Sequence, residues 1–322
     1  MCKILIGIDG GGTHTRVAVS DQNLNLLNYI NFKGSCVPAK SAQALENMQN
    51  AVKLALGKNH TIDDVIGFCI GMAGVDFDED LMWAHEVIAQ LSLKCKPIIL
   101  NDCIPAHHGA FWQKDCENKC KIVSDKIIRG NGLYTCPGIV AVAGTGAITT
   151  GINDDGKILT NYDFHHFGGP RARDLAYYAV WKLVAGEFDQ SDKDFKDKIL
   201  KHFSVASVEE LSKLGATGFI LDQKLRDNFF GDLAPSVTSS AKCGSNTAKF
   251  ICNSFVDELI IGMNLVASGF ASQKIPTVLV GSVLQEEYIK KIIIEKLKPS
   301  RFIVKEPICD PCMGALKIAA EQ

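Results

Sequence analysis

The stretch Gly7-Ile8-Asp9-Gly10-Gly11-Gly12-Thr13-His14-Thr15 stands between two runs of alternating apolar residues, Ile4, Ile6 and Ile8 before it and Val17 and Val19 after it. That period of two predicts a pair of strands joined by a glycine turn. A glycine turn can aim successive backbone N–H groups at a phosphate, because no Cβ blocks approach and positive φ is tolerated. Asp9 just before the turn and the Thr13 hydroxyl just after it suit hydrated Mg²⁺ beside phosphate oxygens. The pattern recurs at Val142-Ala143-Gly144-Thr145-Gly146, between apolar runs at 139–143 and 147–152. Either turn alone reads equally well as a tight hairpin. Two at equivalent places point to a shared ligand. Neither turn has the Gly-Lys-Ser/Thr ending of a Walker A loop or the Gly-x-Gly-x-x-Gly of a dinucleotide fold.

Working outward, residues 24–32 continue an antiparallel meander. Helical periodicity follows at 42–56, a strand at 65–70, a helix near 81–91 and a strand at 97–100. The order βββαβαβα indicates a mixed sheet covered by helices. Residues 111–136 turn polar and lysine-rich, as a linker or surface insertion does. The second glycine turn then opens another α/β half, with an Asp154-Asp155-Gly156 turn and a helix-rich segment. Its longest helix, at 246–272, sets Ile251, Phe255, Leu259, Met263, Val266 and Phe270 on one buried stripe. Strand 277–280, helix 286–297, strand 301–304 and helix 313–320 close the chain.

The 322 residues are 47% hydrophobic and 22% charged, with a net charge of −2, which fits two ordinary globular domains. Without a basic stripe there is no electrostatic basis for nucleic-acid binding. No run looks long and apolar enough for a membrane span, and residues 1–9 lack a secretory signal, so a cytoplasmic location is expected. The twelve cysteines are then expected to be reduced thiols. Cys309-x-x-Cys312 and Cys116-x-x-x-Cys120 lack the second matching pair that a zinc site needs, and read as buried or incidental thiols.

Asn101-Asp102 follows an apolar strand and precedes a helical run, the place where α/β proteins put ligands. Asp102 fits a helix N-cap and also a base that accepts a proton from an attacking hydroxyl.

Taken in order, these marks resemble the BadF/BadG/BcrA/BcrD-type ATPases that include N-acetylglucosamine kinase, in the actin/hexokinase/Hsp70 superfamily. Besides the two glycine turns and Asn101-Asp102 with Ala106, Gly109 and Ala110, the marks are Gly71-Met72-Ala73-Gly74-Val75, Leu233-Ala234-Pro235-Ser236-Val237, Val280-Gly281-Ser282-Val283 and Asp310-Pro311-Cys312-Met313-Gly314-Ala315. The resemblance implies an α/β protein of two actin-like (ribonuclease H-like) ATPase domains, with mixed five-stranded sheets and an interdomain cleft. The domains would span 1–115 and 138–322, with an insertion at 116–137, a helical segment at 170–272 and the last helix packed back on the first domain. The implied cofactors are ATP and Mg²⁺, the metal on Asp9 through water. Gly11, Gly12, Thr13, Thr15, Gly144, Thr145 and Gly146 would contact phosphates, and Gly281 and Ser282 the nucleoside. Asp102 would be the catalytic base, with Ser35, Cys36, Gly74, Asn101, Arg173 and Asp174 near a sugar or amino-sugar acceptor. A homodimer is implied by the family alone.

Several positions depart from that pattern. Where the family's kinases carry an acidic Gly-Asp-Glu-Gly-Ser segment after Gly-Trp-Gly, this chain has Phe167-Gly168-Gly169-Pro170-Arg171-Ala172-Arg173-Asp174. The early sugar loop, Gly34-Ser35-Cys36-Val37-Pro38, lacks its asparagine, His14 stands where lysine is common, and 112–136 has the length of a lid or subunit contact. A guanidinium at Arg171 or Arg173 prefers a carboxylate or phosphate, which suits an altered or acidic acceptor; Arg173 pairing with a nearby acid is the plainer reading. A catalytically weak nucleotide-binding regulator is the rival function. A 2-hydroxyacyl-CoA dehydratase activator fits less well, since Val142 and Ala143 stand where such activators carry a cluster cysteine.

Overall fold

The computed structural model describes residues 3–35, 41–75, 78–113, 115–116, 119–122, 133–163, 169–217, 220, 222–298 and 300–321. Cys36 and the start of the 167–174 segment therefore lie outside the described residues, as does most of the 112–136 stretch. The chain divides into two compact units, one of residues 1–140, 151–158 and 306–322, the other of 141–150 and 159–305.

In the first unit β1 (Ile4–Gly10) and β2 (His14–Asp21) pair antiparallel across the first glycine turn, with Ile8 opposite Val17 and Asp9 opposite Arg16. Next, β3 (Leu26–Lys33) pairs antiparallel with β2. Helix α1 (Ala42–Leu56) starts at Ser41, whose hydroxyl accepts from Ala44 N at 3.1 Å, and buries Ala44, Met48, Ala51, Val52 and Ala55 on one face. Then β4 (Val65–Met72) adds parallel to β1, followed by α2 (Asp78–Ala89), β5 (Ile98–Asn101) parallel to β4, and α3 (Cys103–Phe111). The sheet order is β3-β2-β1-β4-β5. Ile4, Ile6, Ile8, Phe68 and Ile70 pack with Met48 in the core on one side of it.

Two short strands in the insertion, β6 (Cys120–Lys121) and β7 (Tyr134–Thr135), pair antiparallel. Cys116 and Cys136 are joined in a disulfide, which corrects the expectation that every cysteine is a free thiol. The fold brings together two ends of an insertion that sequence spacing gives no reason to pair.

In the second half β8 (Gly138–Ala143), β9 (Ala147–Ile152) and β10 (Ile158–Thr160) precede helices α4 (Ala172–Val184), α5 (Lys193–His202), α6 (Val208–Thr217), α7 (Gln223–Gly231), α8 (Ala234–Lys242) and α9 (Asn246–Ala267). They are followed by β11 (Ile275–Val280), α10 (Glu287–Leu297), β12 (Phe302–Lys305) and α11 (Pro311–Ala319). The second sheet, β10-β9-β8-β11-β12, repeats the order of the first with β11 and β12 parallel. Helix α9 ends five residues short of the expected 272, where Ser268 N closes on Asn264 O and Gly269 follows. It is also long and apolar enough to cross a membrane, contrary to the sequence expectation. Packing accounts for that apolarity: the stripe Ile251, Phe255, Leu259, Met263 and Val266 is buried, and α9 lies against α4, α8 and α10.

The last helix belongs to the first unit. It lies against β1, β4 and α3 at backbone distance. A Cβ on Gly7 would stand 2.3 Å from Leu316 N, and one on Gly314 2.1 Å from Pro105 O, so larger residues at either place would force the elements apart. The Cys312 thiol donates to Gly7 O at 3.3 Å.

Asp192, fully buried, ties the start of α5 to that of α9. Its carboxylate accepts from the Ser245 hydroxyl at 2.6 Å, the Thr247 hydroxyl at 2.7 Å, Asp189 N at 2.9 Å and Thr247 N at 3.2 Å. Burial pushes this carboxyl up, but those hydrogen bonds outweigh it and hold it below the usual carboxylate range. A depressed folded pKa stabilises above the unfolded carboxyl pKa and is lost as pH falls through the folded one. Asp192→Ala should therefore cost about 1–3 kcal/mol at neutral pH. Denaturant titrations at several pH values should show the gap between variant and wild type narrowing below pH about 4.

Candidate active site

The first unit gathers its polar residues at the C-terminal ends of the parallel strands β1, β4 and β5, where open α/β sheets bind ligands. Asp9 is the penultimate residue of β1; Gly12 and Thr13 of the turn that follows are exposed. Gly74, with φ 81°, follows β4, and Asn101 and Asp102 close β5. Hydrogen bonds join these segments into one web. Ala73 N donates to Gly10 O at 2.9 Å, and Asn101 Nδ2 donates to Val75 O at 3.2 Å. Asn101 Oδ1 accepts from Cys103 N at 2.9 Å, so Asn101 does the capping at the start of α3. Asp102 occupies the N-cap position without a side-chain capping bond.

The start of the early sugar loop is fastened to the phosphate turn. Ser35 N donates to Gly11 O at 3.1 Å, and a Cβ on Gly34 would stand 2.1 Å from Gly12 O. Thr15 and Ser35 share a buried hydrogen bond of 2.6 Å between hydroxyls, and Asn47 on α1 donates to Gly34 O at 2.8 Å. Thr15 is fully buried in this contact. It holds the turn's shape, and the exposed atoms beside it belong to Gly12 and Thr13.

Asp9 is mostly buried, and Arg16, its cross-strand partner, donates from Nη1 to its Oδ2 at 2.8 Å. Burial raises the Asp9 carboxyl, Arg16 opposes the rise, and the Asp310 carboxylate adds to it. Sequence reading missed Arg16, although the hairpin register it predicted carries the signal. It also assigned no role to Asp310, which caps α11 through Met313 N at 3.0 Å. Among the described residues no cluster of three or more His, Cys, Asp or Glu side chains forms a metal cage. An ion at Asp9 would depend on one carboxylate, water and substrate phosphates, a donor set that fits Mg²⁺.

In the second unit the turn Gly144-Thr145-Gly146 closes through Gly144 N to Gly146 O at 2.8 Å, with Thr145 and Gly146 exposed. A Cβ on Gly146 would meet no atom within 4 Å, so the turn faces open space. Gly281 lies against the strand that leads into it. With φ 100° and a would-be Cβ 2.3 Å from Ala143 O, this position demands glycine. Val283 N donates to Ala143 O at 3.2 Å, and Ser282 is exposed beside Gly144. The Gly144–Gly146 turn and the segment at 281–283 thus form one backbone platform.

The start of α4 abuts the same turn, with Ala172 N donating to Gly144 O at 2.9 Å. Asp174 accepts from Arg171 N at 2.7 Å. Arg173 pairs with Asp227 of α7, and its Nε lies 3.6 Å from Asp174 Oδ1. Of the two acceptor residues expected in this segment, Arg173 is held in an ion pair and Asp174 caps the helix.

No protein-family model matches the sequence. The chain is 24% identical over 284 residues to an N-acetylmuramic acid/N-acetylglucosamine kinase of Clostridium acetobutylicum, covering 86% of this chain and 83% of that protein. It is 22% identical to an N-acetyl-D-glucosamine kinase of Dictyostelium discoideum, over 98% of each. A crystal structure of a Chromobacterium violaceum protein provisionally designated N-acetylglucosamine kinase superposes with a TM-score of 0.73 and 18% identity over 99% of both chains. The chain has the actin-like ATPase fold and is similar in sequence to these kinases along most of its length. In this kinase-like fold the two repeated sheets each present one glycine turn, as the sequence repeat implied.

Gly281→Ala should cost the kinase-like fold more than about 1 kcal/mol, because alanine disfavours positive φ and its methyl would collide with Ala143. Isothermal titration should show ADP binding weakened at least about tenfold, and Ser282→Gly should change the thermal midpoint little.

Proposed function

We propose that this protein transfers the terminal phosphoryl group of ATP to a hydroxyl of an amino sugar of the N-acetylglucosamine class. The observation that carries the reading is the first unit's web: Asp9, the open phosphate turn, Ser35 and Asp102 stand at adjacent strand ends, joined by hydrogen bonds through Gly10, Val75 and Asn101. The names of the two kinase relatives support the acceptor class.

Each residue has a physical task in this reading. The turn at Gly12 and Thr13 offers donors to phosphate oxygens, as does the turn at Gly144 to Gly146, and Gly281 gives a nucleoside a flat approach to backbone. Asp9 would hold Mg²⁺ through water, and the ion supplies charge neutralisation between phosphates when bound. Asp102, at the end of β5, accepts the proton of the acceptor hydroxyl as it attacks. Gly74 and Ser35 shape the acceptor side.

One observation favours a second reading. Arg173 and Asp174 are engaged by Asp227 and by the helix start, which fits a nucleotide-binding regulator with little acceptor chemistry. Asp102→Asn separates the two. The kinase reading expects phosphoryl transfer to N-acetylglucosamine or N-acetylmuramic acid to fall by about 10²–10⁴ with nucleotide affinity retained. Turnover that ignores both Asp102 and the acceptor would sink it.

A further inference from the structure

Arg171 is the one charged residue of the altered 169–174 segment whose side chain has no hydrogen bond or ion pair with any described residue. Its backbone is fixed: Arg171 N donates to Asp174 at 2.7 Å, and the next residue, Ala172, donates to Gly144 O of the second phosphate turn at 2.9 Å. The nearby acids are spoken for, Asp174 by the helix start and Arg173, and Asp227 by Arg173.

Arginine is also the wrong residue for the fold at this place. It occupies the N-cap of α4, where serine, threonine or aspartate would accept a backbone N–H and where a cation faces the positive end of the helix. A locally unfavourable choice next to a ligand turn is where function is expected to override stability. A guanidinium is a planar fork of donors matched to phosphate and carboxylate oxygens.

We infer that Arg171 receives an oxyanion of the bound substrates beside the Gly144–Gly146 turn. This rests on the reading of the chain as a nucleotide-dependent phosphotransferase. Two sources carry that chemistry: the terminal phosphate of the nucleotide, and a carboxylate on the acceptor sugar.

The experiment compares wild type, Arg171→Ser and Arg171→Lys. Calorimetry measures binding of ADP and of a non-hydrolysable ATP analogue with Mg²⁺, and steady-state assays measure transfer to N-acetylglucosamine and to its carboxylate-bearing counterpart N-acetylmuramic acid. Arg171→Ser is expected to raise the thermal midpoint, because it supplies a proper cap, while oxyanion binding weakens by about ten- to a hundredfold. Arg171→Lys should recover part of the loss. If the ATP analogue alone weakens and ADP does not, the partner is the terminal phosphate. If nucleotide binding holds and the carboxylate acceptor alone loses kcat/KM, the partner is the acceptor. Unchanged binding and transfer in both variants, or a lowered thermal midpoint with ligand affinities intact, would overturn the inference while leaving the kinase reading in place. A wild-type protein that binds no nucleotide overturns both.

Discussion

The backbone contact between the C-terminal helix α11 and strand β1 governs much of what the first unit can do. Gly7 and Gly314 let α11 descend onto β1 and α3 until only backbone separates them, and the Cys312 thiol, 305 positions along the chain from its acceptor, bonds to Gly7 O. Asp9 is two residues beyond Gly7, and Asp310 is two residues before Cys312. The depth of the helix therefore brings the Asp310 carboxylate into the electrostatic surroundings of Asp9. The same descent packs α11 on α3, whose first turn follows Asp102. One close approach thus steadies the elements that carry both Asp9 and Asp102.

Two electrostatic demands compete at Asp9. Burial favours a neutral carboxyl, and Asp310 reinforces that tendency, whereas Arg16 favours the ionised form that a metal needs. The cross-strand register sets this balance, because residues 9 and 16 face each other only when the glycine turn has its present length. The turn is therefore constrained twice, by its own ligand chemistry and by the ion pair behind it. Ser35, Thr15 and Asn47 extend the constraint to the sugar loop, so displacement of that loop would be felt at the phosphate turn.

Features with short sequence separation and a clear period were legible. The β1–β2 hairpin, helix α1 to the residue and β9 all followed from alternation, helical spacing and glycine punctuation. Strand β10, three residues long, gave too brief a pattern to register. The partners of long side chains were not legible, since they are set by tertiary packing: Asp227 reaches Arg173 from 54 positions away, and Cys136 reaches Cys116 across the insertion. Thr15 shows the other limit. A hydroxyl two residues past a phosphate turn looks like a ligand contact, but strand alternation turns it into the interior, where Ser35 satisfies it.

The two units handle charge near their glycine turns differently. In the first, the Arg16 side chain is 40% exposed whereas Asp9 is 14% exposed, so the cation can move into solvent while the carboxylate keeps its desolvation cost. In the second, Arg173 and Asp227 are each about one-fifth exposed and closely paired, and breaking that pair would strand a partly desolvated charge. Arg173 is thereby held between α4 and α7. The one acid of the 169–174 segment, Asp174, caps the helix whose start bonds to the Gly144–Gly146 turn. Because the helix start and the turn share a hydrogen bond, a substitution that shifts the start of α4 is transmitted to the Gly144–Gly146 turn.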